Sequence, residues 1–157
     1  MNTLNNLNLL DIIFLAEDSL RALVEDNLSA EDAVIHARNV DAARQGTDIF
    51  TVAWNHTDEE SNEYSLLYLA LEYAISDRCL THNQYLEWLQ DCHLEDSEEN
   101  YIFFNHVKKT VNTIVDCLRF PSLIEKNKSW LGEEAVKLLQ CITTGGINHK
   151  APSFVKA

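Results

Sequence analysis

Residues 59–78 read "EESNEYSLLYLALEYAISDR". Their apolar side chains fall on two stripes. Tyr64, Leu67, Tyr68, Leu71 and Ile75 recur at helical spacing, and Leu66, Leu69, Ala70 and Tyr73 form a second set. A helix that is apolar on two sides has neighbours on both, so this segment is the central, buried helix of the fold. Its first turn carries Glu59, Glu60 and Glu63, and carboxylates there suit the positive end of the helix dipole.

Working outward, five more helices are expected. Residues 8–26 place Leu9, Ile13, Ala16, Leu20, Leu23 and Val24 on one face, with Asp11, Asp18 and Glu25 on another. "NLS" at 27–29 ends that helix, and Ser29 caps the next, an alanine-rich segment over 30–45 closed by Gly46. Small residues there permit close helix approach. "TDIFTVAWNHT", 47–57, has β propensity but no partner strand, and is expected to be an irregular or short helical connection. Thr81 and Gln84 match the capping box, which starts a fourth helix near His82. Ser97 opens a fifth, with Phe104, Val107, Val111, Ile114 and Leu118 on one face and Pro121 as its stop. Ser129 is expected to cap a sixth over 130–143, ended by Gly145 and Gly146. The resulting expectation is an all-α, single-domain bundle of about six helices over residues 1–145, with 146–157 as a short flexible tail.

Composition agrees. The chain has 157 residues, 46% hydrophobic, with only 4 Gly and 2 Pro, which favours helices over turn-rich architectures. No apolar run is long enough to span a bilayer. The N-terminal segment lacks an early cation and is interrupted by Asp11, Glu17 and Asp18, unlike a signal peptide. A cytoplasmic location and reduced cysteines are therefore expected. Net charge is −13, and it is uneven. Residues 1–100 hold 21 acids against Arg21, Arg38, Arg44 and Arg78, whereas residues 101–157 hold eight cations and four acids. No lysine precedes Lys108. Phosphate contacts need clustered Lys and Arg, so direct DNA binding is disfavoured.

"CLTHNQYLEWLQDCH", 79–93, concentrates soft ligands: Cys79, His82, Cys92 and His93. Zinc requires ligands converging within roughly 2–2.3 Å of one point. His82 and Cys92 bracket one helix and stand about 15 Å apart along it. Cys92 also falls on the stripe Tyr85-Trp88-Leu89-Cys92, which makes it a small core hydrophobe, and no metal is assigned.

Glu59-Glu60-x-x-Glu63 resembles the E-E-x-x-E signature of the all-α nucleoside-triphosphate pyrophosphohydrolases. That resemblance implies Mg²⁺ held by Glu59, Glu60 and Glu63 against substrate phosphates, with an E-x-x-D motif one helix later. Here the nearest counterpart is Glu87-x-x-x-Asp91, one residue longer, and Glu87 or Asp91 would complete the site. No G-x-S-x-G and no glycine-rich phosphate loop accompany it.

The acidic surface is the strongest functional signal. Clustered carboxylates oppose a basic partner and speed its capture, although the same charge also serves solubility. The first expectation is a non-enzymatic acidic protein that inhibits or neutralises a basic protein partner, in the manner of nucleic-acid mimics, anti-defence proteins or immunity proteins. It needs no cofactor. Its contacts would be Glu59, Glu60, Glu63, Asp91, Glu95, Asp96, Glu98 and Glu99. The alternative is the Mg²⁺-dependent pyrophosphohydrolase. A homodimer is compatible with either, and Trp54, Trp88 and Trp130 are candidates for core or interface.

Overall fold

A computed structural model of the chain describes residues 9–44 and 58–144, with side chains over 9–40 and 62–144. The connection at 47–57, Gly46, Trp54 and the 146–157 tail lie outside the described residues. Among the described residues every regular element is a helix: α1 (Leu9–Glu25), α2 (Ala30–Arg44), α3 (Asp58–Ile75), α4 (His82–Asp91), α5 (Glu98–Arg119), α6 (Ser122–Lys126), α7 (Lys128–Leu131) and α8 (Glu133–Thr144). None of these helices is long and apolar enough to cross a membrane.

The central position of α3 follows from its two stripes. Leu66, Leu67, Ala70, Leu71 and Ile75 are all buried, and α3 packs against α5, α2 and α1. The 22 residues of α5 extend about 33 Å and form the second spine element. Its expected stripe is buried throughout, joined by Phe103, Thr110, Val115 and Cys117. Ala33 and Ala37 are fully buried, and with no side chain beyond Cβ they let α2 approach α1 and α3 closely. Each fully buried Leu, Ile or Phe contributes about 1.5–3 kcal/mol, so the shared core of α1, α3 and α5 dominates stability.

Three helices end on a left-handed residue other than glycine. Asn27, Asp77 and His93 adopt φ of 55°, 59° and 56° just past α1, α3 and α4. The next N–H then reaches back to the last turn: Leu28 to Ala22 O at 3.3 Å, Arg78 to Tyr73 O at 2.8 Å, and Leu94 to Leu89 O at 2.8 Å. The five-residue reach of Arg78 and Leu94 is the Schellman arrangement, with Leu94 packed on the core beside it, whereas Leu28 reaches six residues back over a wider turn. Starts follow the expected caps. Ser29 Oγ accepts from Asp32 N at 3.1 Å, Ser97 Oγ accepts from Asn100 N at 3.1 Å, and Thr81 and Gln84 form their capping box.

The C-terminal part differs from the expected six-helix count. Pro121 does end α5, because the residue before a proline is pushed out of the helical region, and Phe120 has φ −131° and ψ 84°. The chain then makes two short helices, α6 and α7, before α8. Ser129 lies inside α7 and does not cap the last helix, which begins after Gly132 at φ +89°. That backbone conformation breaks α7 from α8 and suits glycine.

One buried cation was not anticipated. Arg119 is 2% exposed and reaches the C-terminal end of α3. It donates to Ala74 O at 3.3 Å, to Ile75 O at 2.6 Å and to Asp77 Oδ1 at 2.9 Å. A cation at a helix C-terminus meets both the dipole and the unsatisfied carbonyls. Burial pulls its pKa below the usual arginine value, and the Asp77 carboxylate opposes that pull.

Candidate functional site

A cleft of about 310 Å³ opens between α2, α3 and α4. It is built from one face of each helix. On α2 the lining residues are Glu31, Val34, Ile35 and Arg38, and on α3 they are Ser65, Tyr68, Leu69 and Glu72. Both sets follow the i, i+3, i+4, i+7 spacing of a single helical face. From α4 come Glu87, Trp88 and Asp91. The Trp88 indole fixes this wall, because its Nε1–H donates to Asn62 O at 3.2 Å and ties α4 to the first turns of α3. Trp88 also packs on Phe103 and Phe104, with ring centroids 6.1 and 6.2 Å away.

The electrostatics of the cleft are mixed but acidic. Four carboxylates and one guanidinium line it. Glu72 is engaged by Arg78 at 2.9 Å, and the Arg78 guanidinium sits 4.2 Å from the Tyr73 ring centroid. Arg38 lies over the Tyr68 ring at 5.4 Å, within cation–π range. Its Nε is shielded from solvent and meets no acceptor among the described residues. Glu31, Glu87 and Asp91 are exposed at the rim. Among the described residues, no three His, Cys, Asp or Glu side chains are grouped to hold a metal ion.

The anticipated acidic residues separate into three sets. Glu59 and Glu60 lie in the first turn of α3, and their side chains are outside the described residues. Glu63 is only 8% exposed, so it leaves the set of solvent-facing contacts. The reason is helical phase: Glu63 sits on the same stripe as Leu66, Leu67 and Ala70, which face the core. Asp91, Glu95, Asp96, Glu98 and Glu99 are all exposed. They run from the cleft rim along the α4–α5 link and into the first turn of α5.

That link is well braced. The fully buried Tyr85 donates its hydroxyl to Asp96 at 2.8 Å, and Asn100 Nδ2 donates to Glu95 O at 2.7 Å. Burial and the bond to Asp96 push the Tyr85 hydroxyl up to about 12. The acids are therefore held on an ordered turn, not on a floppy strand of charge.

The soft ligands of 79–93 are dispersed. Cys79 is exposed and Cys92 half-buried, and none of the four cysteines forms a disulfide. Burial raises the Cys92 thiol above its usual value, with Ser65 opposing. His82 packs against the Tyr85 and Tyr101 rings at 5.5 and 6.4 Å. Trp130 is 40% exposed, while Trp88 is core.

Three lysines of the basic C-terminal third have local partners. Lys108 Nζ donates to Leu80 O at 2.9 Å, Lys137 pairs with Glu133 at 3.1 Å, and Lys128 with Glu125 at 3.6 Å. The α2 face of the cleft escaped sequence reasoning. Its signal was the i, i+3, i+4, i+7 set Glu31-Val34-Ile35-Arg38 beside the alanine face, on which Val34 joins the core and Ile35 is left exposed.

Fold and site together define a protein whose described elements are all helical and whose acidic cleft opens onto an ordered run of exposed carboxylates. The chain matches no protein-family model, and no curated protein or solved structure is significantly similar to it.

Proposed function

We propose that this chain is a non-enzymatic acidic binding protein that captures a basic protein partner and inhibits or neutralises it, as nucleic-acid mimics, anti-defence proteins and immunity proteins do. One observation carries the reading. The exposed acids Glu95, Asp96, Glu98 and Glu99 continue through Asp91 into the acidic cleft, so a single surface combines steering charge with a recess. Ordered carboxylates of one sign raise the encounter rate with a cationic surface and orient it.

The test is retention of a protein from native extract on the immobilised chain at low salt, beside a variant with Glu95, Asp96, Glu98 and Glu99 changed to Lys. Exposed pairs contribute about 0.5 kcal/mol each, so losing four weakens binding by at least about 30-fold. The expected result is a basic protein released by high salt and not retained by the variant. No retained protein, or retention indifferent to the reversal, would falsify the reading.

A further inference from the structure

We infer that α5 pairs with α5 of a second copy of this chain, antiparallel and along its outer face, through Glu98, Ile102, Asn105 and Lys109.

That face is left uncovered by the fold. Phe104, Val107, Val111, Ile114 and Leu118 take the opposite side of α5 into the core. Glu98, Ile102, Asn105 and Lys109 recur at i, i+4, i+7 and i+11, which sets them within about 60° of one another around the helix. Steps of four, three and four residues are the spacing of a seam between two paired helices. Ile102 lies near the middle of the seam and is 53% exposed, more than any other large apolar residue among those described. Tyr101, also exposed, flanks it.

Charge selects the occupant. Among the described residues, Glu98 and Lys109 form no ion pair within the chain, whereas Lys128 and Lys137 each have one. Eleven residues separate Glu98 from Lys109, about 16 Å along the helix, so they cannot meet each other. A two-fold axis midway between Ile102 and Asn105 solves both problems at once. It brings each Glu98 opposite the Lys109 of the second copy, so the face complements itself, as an isologous contact requires. It also offsets the two Ile102 side chains by only about 4.5 Å along the helices. Helix axes about 8–10 Å apart then put them in contact. Parallel pairing in register opposes Glu98 to Glu98 and Lys109 to Lys109, so charge fixes the antiparallel direction.

Area sets the strength. A strip about 18 Å long and 10 Å wide on each copy buries less than the roughly 1,200 Å² of a stable interface, so the pairing is weak and concentration-dependent. Glu98 also belongs to the exposed acidic run. Capture of a basic partner there and pairing with a second copy therefore exclude each other.

The experiment is sedimentation equilibrium of the full chain from about 10 μM to 1 mM, at about 0.15 M salt, which screens the net charge of −13 on each copy. A reversible monomer–dimer equilibrium is the expected result. Glu98→Lys and Lys109→Glu each weaken it at least about tenfold, because each sets like charges across the axis twice. These two variants shift the net charge in opposite directions, so a loss shared by both is not bulk repulsion. Glu98→Lys and Lys109→Glu together in one chain restore the pairing. Ile102→Ser weakens it without changing charge. Glu98, Ile102 and Lys109 are all exposed, so the variants remain folded, which circular dichroism checks. A monomer at every concentration, a dimer indifferent to either single reversal, or a double variant that stays monomeric overturns the pairing. None of these outcomes bears on the charge-reversal retention assay, which tests the acidic-binding reading separately.

Discussion

Replacing Arg119 by Met removes a buried guanidinium while keeping much of its apolar volume. Two carbonyls at the end of α3 lose a donor. Ala74 O still accepts from Asp77 N at 3.2 Å, but Ile75 O has Arg119 as its donor at 2.6 Å. Leaving one buried carbonyl unmet costs about 1–3 kcal/mol, and a bond from a charged donor contributes about 1.5–3 kcal/mol. Release of the guanidinium from its own desolvation offsets part of this. The net expectation is a loss of about 3 kcal/mol, a large share of a typical total of about 5–15 kcal/mol. Asp77 supplies the contrast. It is 53% exposed, so its ion pair is well solvated and contributes under about 1 kcal/mol. Asn at that position also tolerates the left-handed backbone. Urea unfolding followed by circular dichroism therefore separates Arg119→Met from Asp77→Asn by about 2 kcal/mol. Equal losses, or Arg119→Met within about 0.5 kcal/mol of the wild type, would refute the view that carbonyl capping, not the ion pair, retains this cation. Because α3 carries Tyr68 and Glu72, the destabilised variant also loosens one wall of the cleft.

Two further outcomes follow from single groups. Tyr85 has its hydroxyl raised from 10.0 to about 12, so the folded state holds this proton more tightly than the unfolded chain. Its contribution is complete below pH 10 and is lost as pH rises through about 12. Compared with Tyr85→Phe, the wild type should show an additional fall in urea midpoint across that window, and parallel profiles would contradict the assignment. Gly132 has φ +89° and nothing within 4 Å of a would-be Cβ, so Gly132→Ala suffers backbone strain without a clash. A loss of about 1–2 kcal/mol in thermal or urea unfolding is expected, and an unchanged midpoint would mean that the α7–α8 break relaxes freely.

Much of the architecture was present in residue spacing. Two stripes on 59–78 marked α3 as central, one stripe on 97–119 marked α5, and Ser29, Thr81 and Ser97 marked three starts, all of which act locally and so are written locally. Ends were harder. Asn27, Asp77 and His93 take the left-handed position usually read from glycine, and side-chain type alone does not announce it. The α6–α7–α8 division depends on the Gly132 backbone, which a pattern of apolar residues passes over. Sequence also established the acidic balance and the clustering of acids from Asp91 to Glu99, since charge is additive and needs no fold to be counted. It could not decide which acids face water. Glu63 and Glu99 look alike as carboxylates, but helical phase against neighbouring helices buries one and exposes the other. The cleft belongs wholly to tertiary structure. Its residues come from three helices separated along the chain, and only their packing brings Arg38 over Tyr68 and sets Glu87 and Asp91 at the same opening.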